Sequence, residues 1–303
     1  MTPANVSQYK NLFKLWRDQP VSEVFAHFHP EKDPLTGSLD FDAPFKKIAA
    51  KTFEGSSAWE FTQTRFQNNY PNKPPKLRNY LRYTFIRLRD LEAADPGKYF
   101  LGSNDGNWVC FNTGLQDKHS ADLYSIFQKY YPRSGQLLSK PASDWVYRGT
   151  VTSRENAYRD HFGIKLPSLA WYSNDSRDYI FNTEYAIDTD VFEHMFERAK
   201  DRSGFPEEAT DESVRTYLRG AIENLIPKIK RNYKTAIPVY FVEEKRMQLL
   251  LPFPSSNGRD MSCFLVERDD ANCVYKIKTI LDMDQAYFAA RLITRPDKEW
   301  LNP

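Results

Sequence analysis

The chain has 303 residues, 41% hydrophobic and 15% aromatic, and its 42 Lys and Arg against 40 Asp and Glu leave a net charge of +2. That apolar content excludes a disordered chain, and the near-neutral balance excludes a global pull on nucleic acid, leaving any such binding to local patches. The cysteines Cys110, Cys263 and Cys273 are odd in number and lack a CxxC spacing, which excludes a disulfide framework and a structural zinc site.

The opening MTPANVSQYKNLFKLWRDQP carries no apolar core of signal-peptide length. No run approaches the roughly 18 apolar residues of a membrane helix, so a soluble, cytoplasmic protein without membrane contact is expected. In chain order, the pattern predicts helices over Val6–Trp16 and Phe45–Phe53 within an irregular first 75 residues. The segment Asn68–Lys76 (NNYPNKPPK) reads as a linker, because its prolines and asparagines disfavour helix and sheet alike. A long helix is predicted from Leu77 to Ala94, with Leu77, Leu81, Phe85 (or Thr84), Leu88 and Leu91 as its buried stripe.

A hairpin follows, with strands Tyr99–Leu101 and Trp108–Phe111 around the turn Ser103–Asn107 and closed by Asn112-Thr113-Gly114-Leu115. Trp145–Val151 and Tyr179–Phe181 read as short strands. Asp190–Lys200 and Asp211–Asn232 read as helices, the second with Asp or Thr as N-cap and Pro227 bending or dividing it. Four strands then come in close succession: Ile237–Val242, Met247–Phe253, Met261–Glu267 and Val274–Leu281. Turn-rich links this short demand an antiparallel meander, since parallel crossovers need a dozen or more residues. The expected fold is α+β: a mostly antiparallel sheet ending in a four-strand meander, flanked by helices. Residues 1–75 are expected to pack on a core of 76–303 as one integrated domain.

No GxxxxGK[ST], GxSxG, HExxH or dinucleotide-binding glycine pattern is present. The five histidines, 27, 29, 119, 161 and 194, make no ligand cluster. His27 and His29 alternate as HxH within FAHFHP and read first as members of an aromatic turn. Neither a metal nor a cofactor is expected.

Local features carry more. The final helix is predicted from Met283 to Ile293, stopped by Pro296. At 100° per residue, Asp284, Tyr287, Arg291 and Arg295 fall within about 80° of one another, and Ala286, Ala289, Ala290 and Ile293 lie opposite. Two guanidiniums and a phenol in line suit a phosphate or carboxylate clamp, although acids early and arginines late in a helix also suit its dipole. The segment Lys228–Lys234 (KIKRNYK) is the clearest basic patch: Asn232, Tyr233 and Lys234 stand where a helix gives way to a strand, the tyrosine able to stack a base and the lysine to pair a phosphate. Arg78, Arg82 and Arg89 share a side of the long helix, as a solvated face or a strip for backbone phosphates. Asn112, Thr113 and Gly114 form a polar corner that either binds a ligand or caps a segment.

The order FAHFHP, IAAKTFEGSSAWEF, LRNYLRYTFIRL, FNTGL, NYKTAIPVYF, MQLLLPF and YKIKTILDMDQAYFAARLITRPDKEWL resembles a bacterial domain family of unknown function. Its members are found beside OST-HTH (LOTUS) modules and sometimes cold-shock domains. The resemblance runs from about Val21 to Leu301 and implies, by association with RNA-binding modules, work on RNA or a nucleotide. Carried over by position, its recurring polar residues are Asn112, Thr113, Asn232, Tyr233, Lys234, Asp284, Tyr287, Arg291 and Arg295, with His194 matching a histidine of the pattern. An arginine-aromatic-proline element is altered here to Ser203-Gly204-Phe205-Pro206.

The reading favoured on these grounds is a metal-independent, hydrolase-like enzyme acting on RNA or a nucleotide. Asp284, His194 or Lys234 would do the chemistry, and Asn112, Thr113, Asn232, Tyr233, Tyr287, Arg291 and Arg295 would hold substrate and phosphate. The alternatives are a non-catalytic RNA-binding module and a protein-interaction component of a bacterial regulatory or defence system.

Overall fold

The computed structural model describes residues 6–14, 20–33, 36–62, 74–130, 144–189, 195–258 and 260–293. The chain divides into two compact units, Met1–Ala170 and Trp171–Pro303. Both mix helices with mostly antiparallel sheet, an α+β fold. Among the described residues no helix is long and apolar enough to cross a membrane.

The first unit is built on a five-stranded sheet. Its strands are β1 (Ala26–His27), β4 (Phe100–Gly102), β5 (Trp108–Gln116), β6 (Asp122–Lys129) and β7 (Trp145–Thr152), in the order β1-β7-β6-β5-β4. All neighbours are antiparallel except β1 with β7. A small hairpin, β2 (Glu31–Lys32) with β3 (Leu39–Asp40), leads into helix α1 (Ala43–Lys51). Helix α2 (Pro75–Ala94) buries the predicted stripe, Leu77, Leu81, Thr84, Phe85, Leu88 and Leu91. Phe85 meets Phe25, Phe100 and Phe111, and Phe25 continues the aromatic core to Phe127 and Trp145. On the other face of the sheet Cys110, Tyr124, Ile126 and Val151 pack with Tyr158 and Phe162 of α3 (Asn156–Phe162). Strands buried on both faces lose the alternation of polar and apolar residues that marks a half-exposed strand, which is why β6 escapes a pattern-based reading.

Three expectations change here. Val6–Trp16 is not a helix: only Val6–Gln8 form a 3-10 turn, and 15–16 lie outside the described residues. The backbone beyond that turn pairs instead with the chain ahead of β1, through Lys10 N–H to the Glu23 carbonyl and Phe25 N–H to the Asn11 carbonyl. Asn112-Thr113-Gly114-Leu115 does not close the hairpin but lies inside β5 as a bulge against β6. Of the expected linker, 68–73 lie outside the described residues, and Pro75 opens α2, where a missing N–H costs nothing.

The second unit contains the meander as expected: β9 (Ile237–Phe241), β10 (Arg246–Pro254), β11 (Met261–Asp269) and β12 (Val274–Asp282), all antiparallel, with β8 (Ala186–Asp188) added in parallel to β12. Leu249, Leu251, Phe253, Phe264, Val266 and Ile277 pack with helices α4 (Phe196–Arg202) and α5 (Asp211–Arg231). The Thr210 hydroxyl caps α5 by accepting from Ser213 N–H, and the helix runs undivided through Pro227. Of the helix expected over 190–200, residues 190–194 lie outside the described set; α4 starts at Phe196. Tyr179–Phe181 is not a strand. A side chain of β12 holds this stretch instead of a strand partner: the Asn182 N–H donates to the Tyr275 hydroxyl at 2.7 Å, and Phe181 stacks on the Tyr275 ring at 4.3 Å. Helix α6 (Met283–Arg291), capped by the Asp282 carboxylate accepting from Gln285 N–H, packs on β9, β11 and β12.

Candidate functional site

The polar corner of β5 serves its own bulge. The Asn112 carbonyl oxygen accepts from Gly114 N–H at 2.9 Å, and its amide donates to Asp122 at 3.2 Å. The Thr113 hydroxyl donates to the Leu123 carbonyl at 2.6 Å and accepts from Leu115 N–H at 3.2 Å. Both side chains are buried, and their hydrogen bonds run within the strand pair. The arginines of α2 are likewise engaged. Arg78 pairs with Asp42 at 3.1 Å and lies over the Phe13 and Phe45 rings; Arg82 donates to Asn11; Arg89 donates to Asp90 and to the Tyr9 carbonyl. The strip holds the N-terminal segment rather than standing open to phosphates.

Helix α6 departs from a half-exposed amphipathic helix. Its small face is buried through Ala286 and Ala290, and its polar face is buried too: Asp284 is 1% exposed, Tyr287 5% and Arg291 9%. An acid, a phenol and a guanidinium are thereby brought together under cover on one helix. Arg295 and His194 lie outside the described residues.

The KIKRNYK segment is the opposite case. Lys228, Lys230, Arg231, Asn232, Tyr233 and Lys234 are all exposed. The Asn232 side chain accepts from Lys234 N–H at 3.1 Å, fixing a 3-10 turn over Tyr233–Thr235 that ends α5 and presents the Tyr233 ring 63% exposed. Among the described residues, none of Lys228, Lys230, Arg231 and Lys234 has a carboxylate within ion-pairing distance, while cations elsewhere in this unit, such as Lys276 and Lys278, are paired. Four exposed cations within a few residues of an exposed aromatic ring make a local positive patch at the end of α5.

Beside it lies a groove of about 350 Å³ between α5 and β10, lined by Tyr217, Gly220, Asn224 and Lys228 on the helix and Pro252, Phe253 and Pro254 on the strand. Positions 217, 220, 221, 224 and 228 recur at helical spacing, so the groove runs along α5 for about 17 Å, and Arg231 falls on the same stripe. The groove therefore opens at its C-terminal end onto the basic patch. Its residues are visible in the sequence as a helical stripe of small and polar side chains, a signal obscured there by the stronger apolar stripe of Val214, Leu218, Ile222, Leu225 and Ile229.

His27 and His29 stand edge to face, with ring centroids 4.5 Å apart. Burial depresses both pKa values, helped by each other's charge at His27 and by Arg148 at His29. Among the described residues no group of three or more His, Cys, Asp or Glu is placed to hold a metal ion.

A family model described as Domain of unknown function (DUF3825) matches residues 51–300. The chain belongs to the DUF3825 family. The DUF3825 match takes in α2–α6 and β4–β12, so the α5 groove, the basic patch and the buried polar face of α6 all fall within it, whereas His27, His29 and nearly all of α1 precede it. No curated protein and no solved structure matches this DUF3825 chain.

Proposed function

We propose that the second unit of this DUF3825 protein binds single-stranded RNA, or a nucleotide, at the C-terminal end of α5. The observation that carries the reading is the set of four exposed cations without carboxylate partners among the described residues, Lys228, Lys230, Arg231 and Lys234, within a few residues of the exposed ring of Tyr233. Cations that track a backbone beside an aromatic stacking platform are how proteins hold unpaired nucleotides, with each stacked base contributing roughly 1–3 kcal/mol. The adjoining α5–β10 groove offers prolyl and aromatic surface for a second base. The resemblance to a family found beside OST-HTH and cold-shock modules supports RNA over other polyanions by association.

Binding is favoured over hydrolysis. A lysine nucleophile needs desolvation or a cationic neighbour to lose its proton, and Lys234 is exposed on a turn. Asp284, the other described candidate for acid–base chemistry, is buried.

The test is fluorescence anisotropy of a labelled twelve-nucleotide oligouridine against salt. With four phosphate contacts on a single strand, the log–log slope should be about −3, a loss of roughly 50-fold between 50 and 200 mM salt. The variant K228Q/K230Q/R231Q/K234Q should flatten that slope, and Tyr233→Ala should weaken binding about tenfold with the slope retained. Salt-independent affinity, or wild-type affinity in the quadruple variant, refutes the reading.

A further inference from the structure

The first unit holds a second cationic cleft, of about 390 Å³, that the α5 surface does not involve. Lys47 and Lys51 reach it from α1, Arg148 from β7 and His29 from two residues beyond β1, and among the described residues Glu31 is the only carboxylate on its lining. Glu31 pairs with Lys47 at 2.6 Å. Lys51 donates to the Thr150 carbonyl at 2.9 Å and lies 3.6 Å from Glu155, which positions its ammonium at the rim. Arg148 uses only its Nε, on Gln128 at 2.9 Å, so its two terminal nitrogens have no protein partner among the described residues. The His29 ring nitrogens likewise make no hydrogen bond among the described residues. Beside the two lysines on the same stripe of α1, Pro44 and Ile48 add an apolar wall to the lining.

We propose that this cleft is a binding site for a small phosphate monoester, its phosphoryl group on Arg148, Lys51 and His29 and its organic part on the Pro44–Ile48 wall. A guanidinium with both terminal nitrogens open matches two oxygens of one phosphoryl group, and an ammonium adds a point charge beside it. The cleft's volume lies within the range of small-molecule sites, so the ligand is a mononucleotide or sugar phosphate rather than a polymer.

The experiment is titration calorimetry of the whole chain with adenosine 5′-monophosphate and, separately, with inorganic phosphate, while the His29 imidazole resonances are followed by NMR. The monophosphate should bind, shift the His29 signals and bind at least fivefold more tightly than inorganic phosphate. Arg148→Gln and Lys51→Gln should each weaken it about tenfold at an unchanged melting temperature, and Lys98→Gln, an exposed cation elsewhere on the unit, should leave it unaltered. Absence of heat at millimolar ligand, unmoved His29 signals or full affinity in Arg148→Gln overturns the proposal. Equal affinity for inorganic phosphate overturns the role of the apolar wall.

Discussion

The Tyr80 hydroxyl donates to the Thr113 carbonyl at 2.9 Å, and a Cβ on the next residue, Gly114, would stand 2.6 Å from that same oxygen. Gly114 also holds φ at +73°, so the β5 bulge needs glycine both for its backbone and for the approach of α2. Gly114→Ala should destabilise the protein by about 3 kcal/mol, combining left-handed strain with the clash. The double variant with Tyr80→Phe removes the clashing oxygen and should be more stable than the sum of the single changes. Strict additivity in denaturant melts would show that the two residues are not coupled in this way.

The Glu92 carboxylate gathers three backbone donors, the N–H groups of Gly97, Tyr99 and Phe100, and so fixes the turn from α2 into β4. An amide has one acceptor oxygen in place of two. Glu92→Gln therefore takes the acceptor from Gly97 N–H, or from the buried pair Tyr99 and Phe100 N–H, and loses the charge that strengthens these bonds, which should cost about 2 kcal/mol. Glu92→Gln with wild-type urea midpoint would mean that water replaces the carboxylate at no cost.

Arg78 separates a structural role for the α2 arginines from a ligand-binding one. Its guanidinium lies 5.4 Å from the Phe13 ring centroid and 5.1 Å from that of Phe45, and pairs with buried Asp42. Arg78→Ala should lower stability by about 2 kcal/mol, through lost cation–π contact and the lost ion pair at Asp42, and leave oligouridine affinity unchanged. Weaker RNA binding at an unaltered melting temperature would return this strip to the ligand.

Residue patterns reached furthest where one periodicity dominated. The meander strands, α2 and α5 appear within a few residues of their expected bounds, because each has one clean apolar stripe or alternation and well-marked turns. Val6–Trp16 was misleading because Tyr9, Leu12 and Phe13 are buried from an extended segment, where helical spacing arises by coincidence. For the candidate residues, spacing placed Asp284, Tyr287 and Arg291 on one face correctly but could not tell whether that face met solvent. Burial is a property of what packs on the helix, which local sequence does not encode. The same limit applies to Asn112 and Thr113, whose polar atoms are satisfied by strand neighbours that only the register supplies. The exposure of KIKRNYK, by contrast, was legible, since four cations in seven residues have no route into a core.

His27 and His29 give the first unit a predictable response to acid. Their pKa values are lowered in the folded protein, mainly by burial, with His29 acting on His27 and Arg148 acting on His29. The unfolded chain therefore binds protons at these sites before the folded one does. Stability is full above the ordinary histidine pKa and falls as pH drops through that value toward the depressed folded pKa. The carboxylates Asp269 and Asp175, held down to about 2 by Lys276 and Arg177, respond only in a lower window. Between pH 7.5 and 5.5 the melting temperature should consequently fall, and His27→Asn/His29→Asn should flatten that fall. A phosphate monoester in the cleft would favour the protonated His29 and lessen the slope in the wild-type chain alone. A pH profile identical in the double variant would move the acid sensitivity to other groups.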